Sequence, residues 1–306
     1  FLHQNTRLEN EVIAMRKIPE VRDDFALRGR CEVYRADLKS MASANRLHQG
    51  VNLRGHQVWA TYEHFQDLLV IRGIPAEEEL LDIVDFFSTN SDPNIFKERH
   101  ALSQSEFRKL IQPLIRTGHI VQDFRGGFRT VIPNQSIDPI ELRKEYLRKM
   151  VKEYPIITLK QFMRLAGTPF KPEEIKSVLN SFEEDGTLIK GFLIEDLHEV
   201  CWGRKELLDE AKDIRPIRDF VLPPSDPISP YFADVLKEKF GFGSAYLVFK
   251  NAEPVAAFKA NTRNKIIEVK DYEGSEKGWR IVKEFAWEHQ MPLETELRIG
   301  GKKMTR

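Results

Sequence analysis

Few side chains in this sequence could do chemistry unaided, and their spacing narrows what that chemistry would be. The eight histidines, His3, His48, His56, His64, His100, His119, His198 and His289, are scattered. None falls in the His-Glu-x-x-His spacing that sets two imidazoles on one helix face, and no Cys-x-x-Cys occurs, so no metal site is expected. Glu288 and His289 adjoin at a helix end, where the dipole favours a cationic imidazole, which reads as structural. Cys201 lies between Val200 and Trp202 in a strand-like run and reads as a buried, inert thiol. No serine, histidine and aspartate follow one another as around a nucleophile elbow. There is no Gly-x-x-x-x-Gly-Lys-Ser/Thr loop to cradle phosphates and no Asp-Glu-x-His motif, so these residues hold no ATP-driven motor. No cofactor is expected.

The basic residues say more. The 47 Lys and Arg balance 47 Asp and Glu over 306 residues, so net charge names no partner. Distribution does: residues 99–152 hold eleven basic residues against five acids, while residues 51–98 hold three against nine. A cationic segment beside an anionic one suits an element that faces phosphates on a balanced scaffold. Within it, Gln104, Arg108, Lys109 and Arg116 fall on the polar side of one expected helix. Arg125 and Arg129 flank the Gly126-Gly127 turn of a following hairpin. Helix in a groove and hairpin on the backbone is how a winged helix meets DNA.

The elements that must position these groups follow from periodicity. Ser103 and Glu106 form a capping box, after which Phe107, Leu110, Ile111, Leu114 and Ile115 give a buried helical stripe. Pro113 should bend or split that helix, and Gly118 should end it. HIVQDF and FRTVI then read as two strands of a wing. The same grammar repeats: helices over 139–153, after Thr158, and over roughly 172–185, then strands TLIKGFLI and HEVCWG. Residues 204–214 add a flanking helix. Upstream, residues 5–16, 36–48 and 58–71, and a run opening at Pro75, have helical spacing, with Asp92-Pro93 marking a turn. After the proline-rich FVLPPSDPISP the period changes to two, with strands at 244–250, 254–260, 265–270 and 293–299 and a helix at 276–289. The fold class expected is α+β: tandem winged-helix domains followed by a small antiparallel β-sheet or partial barrel with a packed helix. The domain bounds expected are a helical connector at 1–98, winged helices at 99–137 and 138–219, and the β-rich part at 220–306.

Three stretches carry a family resemblance. EEDGTLIKGFLIEDLHEVCWGRKELLDEA, 183–211, resembles the second half of a winged helix in the large helicase-related (Lhr) proteins. VLPPSDPISPYF and SAYLVFKNAEPVAAFKAN, 221–232 and 244–261, resemble the junction and hairpin that follow it there. The arrangement is shared with DNA glycosylases of the AlkZ type, which excise alkylated or crosslinked bases. The resemblance covers residues 100–306. It implies a nucleic-acid partner, DNA or RNA, and helicase motor domains on the same natural polypeptide; a start at Phe1 fits a piece of such a chain. AlkZ-type enzymes hold the attacking water with a glutamine and a second glutamine or aspartate, one apolar residue apart. Only Gln104-Ser105-Glu106 has that spacing; its middle residue is polar and Glu106 is committed to the cap. The motif is therefore absent, which leaves Asp226 at the domain joint as the candidate catalytic carboxylate, against its reading as an Asp-Pro turn.

Three functions compete on these residues: a DNA-binding tail behind a helicase motor, an AlkZ-like glycosylase, and a winged-helix transcription regulator. Further backbone contacts are expected from Lys160, Arg164 and Lys171 of the second module and from Lys250, Lys259, Arg263 and Lys265 of the hairpin strands. At 41% apolar and 31% charged residues, disordered and fibrous classes are excluded. No apolar run nears the roughly 18 residues that span a bilayer, no signal-peptide pattern opens the chain, and Cys31 and Cys201 fit a reducing cytosol. A cytoplasmic protein with no membrane partner is expected.

Overall fold

The computed structural model describes residues 47–133, 137–154, 156–193, 198–206, 219–224, 226, 229–251, 253–261, 266–293, 296–299 and 302–303. These fall in two compact units, one within Asp37–Lys212 and the other within Asp213–Arg306. The helix expected over 5–16 lies outside the described residues, as does all but the end of that over 36–48.

The first unit opens with a hairpin, β1 (His48–Val51) and β2 (Gln57–Ala60), then helix α1 (Tyr62–Arg72). Helical spacing over 58–71 had hidden β2. Thr61 accepts the N–H of His64 and starts the helix at Tyr62, which leaves Val58 and Trp59 to pair with β1. A short 3₁₀ turn leads into α2 (Leu81–Thr89), which buries Ile83 and Phe87 while Leu81 faces solvent. Asp92-Pro93 starts α3 (Pro93–Arg99) instead of marking a turn, because Asp92 caps it through the N–H of Asn94 and Pro93 needs no donor at the first helical position.

Next comes α4 (Gln104–Thr117), closed at its start by the Ser103–Glu106 box and at its end by Gly118 in the left-handed region. Pro113 neither splits it nor ends it. Burial of Phe107, Ile111 and Leu114, at about 1.5–3 kcal/mol each, outweighs the roughly 3 kcal/mol that an interior proline costs. The expected hairpin follows as β3 (Ile120–Gln122) and β4 (Phe128–Thr130), but it is no free two-stranded wing. β1 pairs with β3, giving a four-stranded sheet in the order β2-β1-β3-β4.

Register assigns the two faces of this sheet. His48, Gly50, Val58, Val121 and Arg129 share one face; Gln49, Val51, Gln57, Trp59, Gln122 and Phe128 share the other. α1 covers the first face, and Gly50 permits it: a Cβ there would lie 2.6 Å from the Phe65 ring. The second face meets α2, α3 and α4 in an aromatic core of Phe87, Phe96, Phe107 and Phe128.

The second helix–hairpin module consists of α5 (Pro139–Glu153), β5 (Ile156–Thr158), α6 (Leu159–Ala166), α7 (Pro172–Glu184), β6 (Leu188–Gly191) and β7 (Cys201–Arg204). α7 buries Ile175, Val178, Leu179 and Phe182 as the spacing predicts. β5 was hidden in the approach to the Thr158 cap, and it widens the hairpin to three strands in the order β5-β7-β6. Arg143 ties the module to α1. Its guanidinium grips the Glu174 carboxylate through two bonds of 2.9 Å, donates to the carbonyls of Ile71 and Pro169, and lies over the Phe170 ring. Of the flanking helix expected over 204–214, only the first residues are described.

The unit within Asp213–Arg306 holds β8 (Phe220–Leu222), α8 (Ala233–Phe240), β9 (Tyr246–Lys250), β10 (Glu253–Asn261), β11 (Ile266–Gly274), α9 (Glu276–Leu293), β12 (Glu296–Ile299) and β13 (Lys302–Lys303). The four strands expected here are present, yet they form an open six-stranded sheet, β13-β12-β11-β10-β9-β8, and no barrel. Nor is the sheet wholly antiparallel. α9 carries the chain back along the sheet, so β12 pairs with β11 in parallel. Ile281 and Val282 of α9 pack on Val248, Phe258 and Val269.

Candidate functional site

A cavity of about 510 Å³ opens between α4 and the second face of the four-stranded sheet. α4 contributes Gln104, Arg108, Gln112 and Arg116, spaced every four residues and hence on one stripe. β1 contributes Gln49 and Val51, β2 Gln57, and β3 Gln122; Phe107, Ile111, Ile115 and Phe128 supply the apolar wall. Five primary amides and two guanidiniums therefore line the cavity, with no carboxylate, imidazole or thiol among its lining residues. Amides both donate and accept hydrogen bonds and do not titrate near neutrality, so the cavity is equipped to read a polar, flat ligand rather than to move protons. Its volume falls inside the roughly 300–1,000 Å³ of small-ligand sites.

Gln49 and Gln122 stand directly opposite each other in the β1–β3 ladder. Gln122 donates through Nε2 to the carbonyl of Gly126, 3.4 Å away in the hairpin turn, and Gln104 accepts from Lys97 Nζ at 2.8 Å. Among the described residues no ion pair engages Arg108 or Arg116, and both are exposed. Carboxylates stay clear: Asp123 is spent on the N–H groups of Arg125 and Gly127, and Glu106 on the cap of α4.

The chain shares its fold with a solved structure. It superposes on the structure of Streptomyces sahachiroi DNA glycosylase AlkZ with a TM-score of 0.67, over 97% of this chain and 95% of that one, at 10% sequence identity. That overlap runs well beyond residues 100–306, to which the sequence resemblance was confined. No family model matches the chain, and neither does any curated protein at the sequence level.

The other expected contact residues are dispersed relative to the cavity. Lys109 is exposed but does not line it, and Arg125 is exposed at the hairpin turn. Arg129 belongs to the opposite face of the sheet from Gln122, stacked 3.8 Å over the Tyr62 ring. The single cationic surface expected of helix and hairpin is thus divided, because alternation along β4 sends Phe128 to the cavity and Arg129 away from it. In the second module Lys160 is exposed and Arg164 half-buried, both engaged by neighbouring groups, while Lys171 is exposed just before α7. In the second unit Lys250 is half-buried; Lys259 pairs with Asp271 at 3.4 Å across the β10–β11 ladder and sits over the Phe242 ring, so it is no free backbone contact. Arg263 and Lys265 lie outside the described residues. Asp226 is buried, at 2% exposure, in a turn where its N–H donates to Pro223 and its carbonyl accepts from Ser229.

Four cavity glutamines, Gln49, Gln57, Gln112 and Gln122, escaped the sequence reading. The available signal was the alternation of His48, Gln49, Gly50 and Val51, visible once these residues are taken as a strand. His48 is buried on the opposite face beside Tyr62, with Nδ1 unpartnered among the described residues. Burial first, then the Arg129 guanidinium, hold its imidazole below the usual value. Burial likewise lowers His119, whose Nδ1 meets Thr117 Oγ1 at 2.8 Å. Burial raises the Cys201 thiol, as befits an inert one. Among the described residues no group of three or more His, Cys, Asp or Glu could hold a metal ion, and no helix is long and apolar enough to cross a membrane.

Proposed function

We propose that this chain binds DNA and removes a damaged base by hydrolysing its N-glycosidic bond, with the amide-lined cavity as the base pocket. The observation that carries the reading is the chemistry of that lining: five glutamines, two arginines and no acid. The shared glycosylase fold supports it. A base extruded from the duplex would enter between α4 and the sheet, its edge met by amides, while Arg108 and Arg116 take flanking phosphates.

Such a lining limits the leaving group. Without a general acid nearby, a base must depart unaided, which favours a purine already positive through alkylation at N7 or N3. The C1′–N bond then breaks with its electron pair going to the base, which leaves neutral. Water adds to C1′ and its proton passes to solvent.

The test uses duplexes carrying one N7-methylguanine, one uracil, or neither, with abasic sites revealed by alkaline strand cleavage. Cleavage at the methylated base alone is expected; equal cleavage at uracil, which leaves as an anion, refutes the reading. Loss of cleavage in Asp226→Asn would move the chemistry to the second unit. The likeness of residues 183–261 to helicase-related proteins favours a second reading, in which the same surface grips DNA behind an ATP-driven motor. DNA binding without excision of any base would favour it.

A further inference from the structure

Two of the five cavity glutamines are each held in one sense, and the senses are opposite. The oxygen and nitrogen ends of an amide are alike in shape, so its neighbours decide which way it faces. Gln104 accepts from Lys97 Nζ at 2.8 Å. An ammonium donates and never accepts, so the oxygen of Gln104 must face Lys97, and its NH2 group is left for the cavity. Lys97 does not itself line the cavity; it follows Pro93, which does, by one turn of α3 and so stands at the rim. Gln122 is turned the other way. Its Nε2 donates to the Gly126 carbonyl, which only accepts, and Oε1 is left to accept from a ligand. The amides of Gln49, Gln57 and Gln112 make no side-chain hydrogen bond among the described residues, so they turn to suit either kind of partner.

We infer that the pocket takes a guanine-type base, one with an oxygen at C6, and that Lys97 sets this preference by holding Gln104 as a donor. The inference rests on the glycosylase reading of the cavity and names the substrate class of that site. Guanine carries an acceptor, O6, beside the N1–H and 2-amino donors; adenine carries a donor, its 6-amino group, where guanine has O6. Arg108 and Arg116 also only donate, so three of the four polar groups that α4 lends to the cavity call for acceptors, while Gln122 on the sheet side calls for a donor.

An adenine amino group against Gln104 would set donor on donor. Gln104 escapes that clash only by reversing, which gives up the Lys97 bond and puts an NH2 group against an ammonium. A seated base excludes water from this corner, so solvent does not make good the lost bond. Lys97 is a positioning residue, acting on the base through Gln104.

The experiment uses duplex DNA treated with dimethyl sulfate, which carries N7-methylguanine and N3-methyladenine together; both are cationic and both leave neutral. Mass spectrometry measures release of each base by the full chain relative to that base's own spontaneous release. The parent is expected to favour N7-methylguanine by about 30-fold, the scale of one buried polar group left unpaired. Lys97→Met, which keeps the stem and removes the donor, should bring the two to within about threefold, chiefly by raising adenine release. Lys97→Arg, still a donor only, should keep the parent ratio. Lys97→Gln, which also accepts, should behave as the methionine variant and serves where that one folds poorly. A parent that does not favour N7-methylguanine overturns the inference and leaves the glycosylase reading standing. A Lys97→Met variant that slows both releases alike also overturns it, since a phosphate contact or a structural prop would behave so. Release of neither base by the parent removes the reading and the inference together.

Discussion

Replacing Arg108 and Arg116 together by alanine should change how DNA binding responds to salt, by an amount the helix geometry sets. The two residues are eight positions apart on α4, hence about 12 Å along its axis at 1.5 Å per residue. At about 3.4 Å of rise per phosphate on one strand, that separation reaches distinct phosphates, so each arginine counts as a separate contact. Counterion release contributes a slope of about −0.9 in log K against log salt for each phosphate neutralised, so the double variant should be shallower by about 1.8. Between 50 and 200 mM salt the parent should then lose roughly tenfold more affinity than the variant. Fluorescence anisotropy of a labelled duplex at five salt concentrations measures both slopes. Arg129→Ala, whose guanidinium is stacked on Tyr62 on the other face of the sheet, should leave the slope as it is. A parent slope in the Arg108/Arg116 variant, or a shallower one in Arg129→Ala, refutes the placement of DNA on the cavity side.

Two further expectations concern stability. Arg143→Ala should cost about 2 kcal/mol by denaturant unfolding, since it removes charge-assisted hydrogen bonds from two carbonyls and from the Glu174 carboxylate, which keeps only the Lys171 N–H; a loss under about 0.5 kcal/mol would show that water replaces it freely. His48 and His119 are held neutral by burial, so the unfolded chain binds protons more readily below its imidazole pKa of about 6.5. Stability should be full above that pH and fall as pH drops through it; a melting temperature that falls just as far in a His48→Gln/His119→Gln variant would assign the loss to other groups.

Much of the architecture was legible because its signals are local. The Ser103–Glu106 box, the Gly118 stop and the apolar stripe between them define α4, and with it Gln104, Arg108 and Arg116 on one edge. The period-two runs after residue 244 give β9 and β10 to within two residues and the start of β11, which runs on to Gly274, four residues past its expected end. β1, β2 and β5 were missed because three or four residues carry too little periodicity to outweigh a neighbouring helical pattern. Whether the C-terminal strands close or stay open was equally hidden. Alternation says which way a side chain points and nothing about which strand lies alongside, and here the return through α9 decided it.

Residue spacing along the chain determined α4, its caps, its cationic edge and the absence of any metal, thiol or phosphate-loop motif. Tertiary structure decided that Gln49 and Gln122, more than seventy positions apart, stand face to face, and that Arg129 turns away from Arg108. The physical reason is the hydrogen-bond ladder. It sets which residues of two strands are neighbours by register alone, without regard to how much chain runs between them.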